Sequence, residues 1–581
     1  MKVQAEFGVW DYVVVILVLL TSSSIGLYYR FTGGRQKTVE EYLHADKNMS
    51  IYTVAISLMA SFMSAITILG VSSENYSFGF QFILIYLGHL IFTPIAAYLY
   101  LPIFFKLQTT SAYEYLEMRF GKTARLATSL SYTLQMILYT GVVIYAPALA
   151  LEAVTGISRL TAVLSIGLVC MFYSTIGGMK AVILTDVLQS LLMFLGVFSI
   201  IISALVAHGG FANIWKIAEL GNRTDIFNFN PDPTIRHSWF SLVIGGGVLY
   251  LSLYGVNQTQ IQRYLTVKDL KRAQKALWLN WPIFCLLGIA TSFSGLAIYS
   301  RYKDCDPVKA GYISSMDQLM PYYVVDTMGH IPGLAGLFVA GIFSASLSTI
   351  SASLNSVAAV TMEDYYKPIS KYLNKPELSP KKAATLTKCM AMGFGILCLG
   401  VSFLVQHLGA LLKAALTIFG AVGGPILGLF SLGMFTLTAN ESGSLTGLVA
   451  GMAVSMWLAF APKPPPNPLP TSIDGCNDNN LLNNIITIQV NESDYSWLYR
   501  VSYLYNGVIG LVITFSIGYL TSIIVRQFNG IKVEDENYNP NLFIPSLSQK
   551  LILKKHDNKV FKLVNRSNSC EDFKKNDISE L

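Results

Sequence analysis

The sequence predicts an all-α polytopic membrane protein with about 13 transmembrane helices. Of its 581 residues, 53% are hydrophobic and only 13% are charged, about half the charged share of a soluble domain. The mean hydropathy is +0.49. The apolar residues are also gathered into separate stretches of roughly 20 residues, which is the length that crosses a bilayer. These observations argue against a soluble enzyme, a nucleic-acid binder and a disordered scaffold.

The apolar stretches are continuous and do not alternate with polar residues. In lipid, each backbone polar group must be bonded within its own segment, and the strands of a barrel would show alternation. Helices are therefore the expected form. The thirteen expected spans are 10–29, 52–71, 82–104, 126–150, 160–176, 182–207, 239–256, 277–299, 333–360, 384–405, 411–437, 444–460 and 501–525.

The distribution of Lys and Arg predicts the orientation. With the N-terminus outside, most of the 41 Lys and Arg residues fall on inner segments, and the polar C-terminal tail contributes many of them. This orientation also places the sequons at Asn222 and Asn491 outside, where glycosylation is possible. We therefore expect an extracellular N-terminus and a cytoplasmic C-terminus.

Two of the seven cysteines lie in long polar loops, and the others lie in or beside apolar runs or in the tail. The two are Cys305 and Cys476, and both loops are outside in the expected orientation. They could form a disulfide in an oxidising compartment, but the sequence alone leaves this pairing open.

Two spans have features of interrupted helices. Small and hydroxylated residues crowd the centre of 55–70, including Ser57 and Thr67, while span seven contains 245–247 (Gly-Gly-Gly) followed by polar Asn257. Close helix packing through small residues is one explanation. The other is a helix broken at mid-membrane, whose carbonyls and hydroxyls bind a cation. Interruptions at matching positions of two halves, spans two to six and seven to eleven, favour an inverted-repeat transporter.

Span nine carries three candidate cation ligands. Ala345, Ser348 and Thr349 stand at i, i+3 and i+4 and so share one helical face. One carbonyl and two hydroxyls suit sodium, whereas a carboxylate cage would indicate calcium. The alternative is that these hydroxyls simply bond the carbonyl one turn back. Asp186, near the inner end of span six, either binds a cation or pairs with Lys180.

At these motifs the sequence resembles the sodium:solute symporter family. The resemblance covers roughly residues 8–530. Within the family it is similar to the branch of sodium-coupled monocarboxylate transporters, the multivitamin transporter and the iodide symporter. The likeness to the family as a whole lies in 41–46, 113–121, 177–189, 255–264 and 354–356. The likeness to this branch lies in 61–64, 139–147 and 423–430.

The resemblance implies ten core helices in two inverted repeats of five, with one leading and two trailing helices. The leading helix would occupy 1–30 and be retained, since no signal cleavage pattern follows it. The repeats would occupy 50–208 and 238–438. Residues 439–526 would hold the trailing helices and an extracellular loop, and 527–581 a cytoplasmic tail that is mostly disordered.

The resemblance also implies the positions of ions and substrate. A co-transported sodium would lie between spans two and nine, and Asp186 would lie near a possible second sodium. The first sodium would be bound by the carbonyls of Ala60, Met63 and Ala345 and the hydroxyls of Ser348 and Thr349. The substrate pocket would be lined by Phe62, Thr67, Tyr86, His89, Tyr139 and Tyr250.

The implied pocket has few hydrogen-bonding groups, which disfavours a sugar. Thr67 or a Tyr hydroxyl could donate to a carboxylate. From the residues alone, His89 is more often a packing residue than a proton relay. Thr67 also replaces a glutamine found in the iodide and sugar transporters.

The implied function is sodium-coupled import of a small organic anion, similar to a monocarboxylate, across the plasma membrane by alternating access. The partners are therefore sodium, a small anionic substrate and the lipid bilayer, with no nucleic acid. A vitamin carrier for biotin or pantothenate and an iodide symporter remain open. From another class, a transporter-like channel or sensor remains open too. No acid–base pair, metal cluster or nucleophile arrangement indicates an enzyme.

Overall fold

The computed structural model describes residues 7–32, 47–407, 409–476, 495–530 and 538–555. Within these ranges the chain is helical and contains no strand. The helices that matter below are α1 (Val9–Thr32), α2 (Ile51–Ala60), α3 (Ala65–Phe78), α4 (Phe80–Leu107), α5 (Lys122–Thr155), α6 (Arg159–His208), α7 (Ser241–Val256), α8 (Gln258–Tyr264), α9 (Leu270–Tyr302), α10 (Leu334–Tyr372), α11 (Pro380–His407), α12 (Leu411–Phe435), α13 (Glu441–Phe460) and α14 (Tyr503–Asn529).

A helix covers each of the thirteen expected spans. Among the described residues, nine helices are long and apolar enough to cross a membrane, and the bent pair α2 and α3 adds a tenth. Three shorter apolar helices, Val9–Ile25, Arg159–Met171 and Ser241–Val256, complete the set. Helix α6 covers two expected spans because it is kinked at Gly178, whose φ of 63° is readily adopted only by glycine. The predicted all-helical polytopic architecture is confirmed.

The first helix of each expected repeat is interrupted. The axes of α2 and α3 differ by 60°, and residues 61–64 join them without forming a helix. In the second half, Asn257 separates α7 from α8 with an extended backbone (φ −77°, ψ 131°). Its side chain accepts a hydrogen bond from the Thr259 amide at 2.9 Å and so caps α8. Both breaks thus interrupt the regular hydrogen bonding of a helix within an apolar span.

The glycine run of α7 has a different role from the one expected. Residues 245–247 are helical, and the break comes ten residues later at Asn257. The glycines instead allow neighbouring elements to approach closely. A Cβ at Gly245 would lie 2.7 Å from the Leu504 carbonyl oxygen, and one at Gly246 would overlap the side chain of Ile85. Packing, together with the capping preference of Asn257, therefore decides where the helix breaks.

The leading and trailing helices pack on the outside of the core. Helix α1 contacts α6 and α10, while α14 lies against α12 and α13. Gly443, Gly447 and Gly451 recur every four residues along α13 and face Thr514 and Gly518 of α14. A stripe of small residues lets the two backbones approach closely, which is a common basis for helix association in lipid.

One end of the bundle carries a disulfide between Cys305 and Cys476, whose Cα atoms are 5.1 Å apart. We call this the disulfide end. It contains the loops 209–240, 303–333 and 461–476. Asn222 is exposed there in a left-handed conformation (φ 55°). The second sequon residue, Asn491, lies outside the described residues.

Part of the C-terminal tail is ordered at the opposite end. The expectation of a disordered tail does not hold for residues 538–555, where Phe543 is only 1% exposed. The Ile544 amide donates to the Met434 carbonyl at 3.2 Å, near the end of α12. The Arg119 guanidinium lies 5.1 Å from the centre of the Phe543 ring. An apolar pair, Leu542 and Phe543, anchors this otherwise polar segment by burial.

Candidate ion site and central cavity

The break between α2 and α3 frees two carbonyl oxygens. In a continuous helix, the amides of Ser64 and Thr67 would donate to the carbonyls of Ala60 and Met63. Here the Ser64 amide donates to the Phe62 carbonyl at 2.9 Å, and the Thr67 amide donates to the Ser64 carbonyl at 3.0 Å. The carbonyls of Ala60 and Met63 are therefore left without a helical partner, as a cation-binding break requires.

The three candidate ligands of α10 are fully buried. Ala345, Ser348 and Thr349 each have 0% exposure, and α10 contacts α2. The Thr349 hydroxyl donates to the Ala345 carbonyl at 3.1 Å, which is the back-bonding expected of a membrane threonine. Lone pairs of both oxygens remain for an ion. Among the described residues no group of three or more His, Cys, Asp or Glu side chains could hold a metal, so neutral oxygens dominate this region.

Asp186 is fully buried beside these residues. Its carboxylate accepts hydrogen bonds from the Ser348 hydroxyl at 2.6 Å and the Ser57 hydroxyl at 2.5 Å. Its ionic partner is Arg263 at 3.4 Å, and both side chains are fully buried. The suggested pairing with Lys180 is therefore replaced by an ion pair that the sequence interpretation missed. The available signal was a single arginine within the polar run after Asn257.

Arg263 connects the two interrupted helices. Its Nε donates to the Ser57 hydroxyl of α2 at 2.9 Å, and one terminal nitrogen donates to the Thr259 carbonyl of its own helix at 3.0 Å. Through Asp186 and Ser348 the same network reaches α6 and α10. Because the opposite charges are paired and hydrogen-bonded, they can remain in the apolar interior. The network thus joins four helices next to the candidate ion site.

All six predicted pocket residues line one cavity of about 90 Å³ at the centre of the bundle. Phe62, Thr67, Tyr86, His89, Tyr139 and Tyr250 all contribute to it. The sequence interpretation missed one wall, which α12 supplies with Leu412, Ala415, Leu416 and Phe419. These apolar residues share a helical face and carry no polar marker, so no sequence signal separated them from ordinary core residues.

Aromatic rings belong to nine of the nineteen residues that line the cavity, counting His89. His89 stacks on Tyr250 with ring centres 4.8 Å apart, and Tyr139 meets Phe419 edge-on at 4.5 Å. The Tyr250 hydroxyl accepts a hydrogen bond from Thr93 at 2.9 Å. Such packed rings exclude water and present an apolar surface to a ligand.

A few polar groups face this apolar surface. The Nδ1 atom of His89 is buried without a hydrogen-bond partner in the described part of the chain. The Thr67 hydroxyl makes only a long bond, 3.3 Å, to the Phe62 carbonyl. Among the residues that the structure describes, no Lys, Arg, Asp or Glu lines the cavity. The cavity is therefore suited to a small ligand with one polar group and an apolar body.

Helix α12 begins at a buried carboxylate. Asp317 accepts a hydrogen bond from the Leu411 amide at 3.1 Å, close to the cavity residue Leu412. Burial raises the pKa of Asp317 to about 6. The favourable position of an anion at a helix N-terminus partly offsets that cost of burial.

Comparisons with known proteins agree with this geometry. The family model for the sodium:solute symporter family matches residues 42–451. The "Putative sodium-dependent multivitamin transporter" of Drosophila melanogaster is 50% identical, with 94% of this chain and 93% of that protein covered. The sodium-coupled monocarboxylate transporter 1 of Homo sapiens is 44% identical, with 89% and 87% covered.

A solved structure supports the same assignment. The substrate-bound, outward-open structure of a Na⁺-coupled sialic acid symporter has 26% sequence identity and a TM-score of 0.73, covering 89% of this chain and 98% of that one. This similarity confirms the predicted symporter core and sodium as the co-transported ion. The chain therefore belongs to the sodium:solute symporter family and is a multi-pass, sodium-coupled membrane transporter.

Proposed function

We propose that this symporter imports a small monocarboxylate with sodium by alternating access across the plasma membrane. The observation that carries the proposal is the break at residues 61–64. This segment presents the Phe62 side chain to the cavity and leaves the carbonyls of Ala60 and Met63 free beside α10. Ion and substrate would therefore bind to one interrupted helix, so that each can stabilise the site of the other.

Sodium would be bound by the carbonyls of Ala60, Met63 and Ala345 and the hydroxyls of Ser348 and Thr349. Asp186 would hold Ser348 in position through their 2.6 Å hydrogen bond. A second sodium beside Asp186 stays a prediction. Such an ion would have to share the carboxylate with Arg263, which already lies 3.4 Å away.

The cavity favours a small carboxylate. An apolar body would pack on the rings of Tyr139 and Phe419, while the carboxylate would accept hydrogen bonds from Thr67 and His89. A sugar would leave most of its hydroxyls unpaired there, which costs binding free energy. The human relative named as a sodium-coupled monocarboxylate transporter supports this substrate class.

A vitamin that carries a carboxylate is the second candidate. The Drosophila relative, named as a putative sodium-dependent multivitamin transporter, favours it because the two chains are 50% identical. Biotin and pantothenate would present the same carboxylate with a longer body. Competition between the two acids for uptake separates these candidates.

We further propose that the disulfide end faces the outside of the cell. The disulfide between Cys305 and Cys476 requires an oxidising compartment, and the exposed sequon residue Asn222 lies at the same end. The short connections at the opposite end hold many of the Lys and Arg residues, which agrees with the positive-inside bias. This orientation gives an extracellular N-terminus and a cytoplasmic C-terminus.

The coupling energy limits the stoichiometry. A tenfold sodium gradient supplies about 1.4 kcal/mol, and one charge crossing roughly 60 mV adds about 1.4 kcal/mol. A monoanion that moves with one sodium carries no net charge and gains only the first amount. Strong accumulation of a monocarboxylate would therefore require two sodium ions for each substrate.

Uptake and current recordings in cells that express the full chain test the proposal. Labelled lactate, biotin, pantothenate, iodide and glucose would each be supplied with sodium and again with choline in its place. We expect sodium-dependent accumulation of lactate, and competition by excess biotin measures the vitamin alternative. Sodium-dependent currents without accumulation of any solute would instead support a channel or sensor.

A further inference from the structure

Two lysines lie at the disulfide end of the cavity without an acidic partner. Lys413 follows the cavity residue Leu412 and comes one turn before Leu416, which also lines the cavity. Lys463 begins the proline-rich part of the segment 461–476. Both side chains are half-buried, and neither forms an ion pair within the described residues. An uncharged cavity thus has positive charge beside one of its ends.

Contacts around residues 501–505 bring the two lysines near each other. Lys463 Nζ donates to the Val501 carbonyl at 3.4 Å, and the first turns of α12, which contain Lys413, contact residues 503–505. Burial and the positive charge of Lys413 together lower the pKa of Lys463 to about 8. An anion between these groups would relieve both effects.

The segment that carries Lys463 is anchored on both sides. The Leu469 amide donates to the Ser77 carbonyl at 2.8 Å, and Arg223 donates to the Pro470 carbonyl at 3.2 Å. The disulfide at Cys476 attaches its far end. Because proline also restricts the backbone, the ammonium is kept in place at little entropic cost when a ligand binds.

The neighbouring charges do not cancel the two lysines. Glu74, at the outer part of α3, is already paired with Arg236 at 2.6 Å and contacts His237 at 3.1 Å. Arg236 also packs on the Tyr503 ring at 5.0 Å. On the other side, the Asp317 carboxylate accepts a hydrogen bond from the amide at the start of α12. The three cations Lys413, Lys463 and Arg236 outnumber the two carboxylates of Glu74 and Asp317. The excess charge around Lys413 and Lys463 is therefore positive.

We infer that Lys413 and Lys463 form an outer binding site that captures the substrate carboxylate before it enters the aromatic cavity. The inference rests on the proposed anionic substrate. A pair of cations held beside the cavity raises the local concentration of an anion and its rate of binding. The lysines would thereby provide, at the entrance, the positive charge that the cavity itself lacks.

Neutralising each lysine in the full-length transporter tests this site. We expect K463Q and K413Q each to raise the KM for labelled lactate about fivefold, which corresponds to roughly 1 kcal/mol. The maximal rate per transporter at the cell surface and the sodium concentration for half-maximal uptake should not change. K463R and K413R keep the charge and should retain a KM close to that of the parent.

Lys309 provides a matched control. It lies at the same end and donates to the Thr471 carbonyl at 3.0 Å, in the same segment as Lys463. Lys309 is exposed, however, and it does not bond the Val501 carbonyl next to the residues that contact α12. K309Q removes one positive charge and should leave the KM for lactate unchanged. An equal rise in KM in K309Q would show a general surface-charge effect and would overturn the inference.

Other outcomes separate this inference from the proposed function. If the parent accumulates lactate with sodium and both glutamine variants keep its KM, the outer site is wrong and the function stands. If the parent transports only uncharged solutes, the proposed function fails, and the outer site fails with it. If a glutamine variant does not reach the cell surface, the KM for lactate is instead measured in the parent at rising ionic strength. Salt screens the lysine charges, so the outer site predicts that this KM rises, and an unchanged KM contradicts it.

Discussion

Replacing Thr349 by alanine tests the sodium site most directly. Thr349 is fully buried on α10, and its hydroxyl makes one protein contact, with the Ala345 carbonyl at 3.1 Å. Ser348 is a less clean target because its hydroxyl also bonds Asp186. T349A should therefore remove one proposed ion ligand and leave the buried charge network intact.

The expected size of the effect follows from the number and type of ligands. Sodium would lose one of five neutral oxygens, and a hydrogen bond or dipole contact to a charged group contributes about 1.5–3 kcal/mol. Taking the lower end, since water partly replaces the hydroxyl, the sodium concentration for half-maximal uptake should rise about tenfold. T349S keeps the hydroxyl and should stay within about twofold of the parent.

The assay is sodium-dependent uptake of labelled lactate, normalised to transporter at the cell surface. T361A is the matched control. Thr361 lies twelve residues further along α10, and its hydroxyl also bonds the carbonyl one turn back, that of Val357 at 2.8 Å. T361A should leave the sodium dependence unchanged. An unaltered sodium dependence in T349A, or an equal change in T361A, would refute the reasoning.

Three further predictions follow from the structure. R263Q leaves Asp186 buried without its counter-charge and should cost about 3–5 kcal/mol of stability. The loss should appear as lower thermal stability of the purified protein, and the double variant R263Q/D186N should recover part of it. G424A should also lower thermal stability, because a Cβ at Gly424 would overlap the Gly507 carbonyl of α14. Lys463 loses its charge as pH rises through about 8, while the carboxylate of lactate stays ionised. The KM for lactate should therefore rise from pH 7 to pH 9 in the parent and stay flat in K463Q.

The arrangement around α2 and α3 suggests how coupling is achieved. Residues 61–64 touch the cavity on one side and the proposed sodium site on the other. Arg263 then joins α2 to the interrupted helix of the second half through Ser57. A change in occupancy at the break can therefore be transmitted to both halves through hydrogen bonds, without a long-range pathway.

The sequence by itself determined the membrane architecture. Span length and hydropathy are local properties, so all thirteen expected spans correspond to helices. For the small-residue centre of 55–70 the sequence offered close packing or a break, and the structure shows the break. The resemblance-derived pocket residues, such as Tyr139 and Tyr250, also meet in one cavity. These residues were named through the resemblance to the family, and no local property of the spans marked them as a pocket.

Only the tertiary structure decided which distant residues meet. The buried pair of Asp186 and Arg263 is separated by 77 positions, and nothing local distinguishes it from pairing with Lys180. The α12 wall of the cavity, including Phe419, consists of ordinary apolar residues whose partners depend on helix packing. Likewise, the position of Lys463 near α12 depends on the disulfide and the backbone hydrogen bonds that hold its segment, and the local sequence does not show it. Contacts between distant segments depend on how helices pack, and local hydropathy carries no information about that.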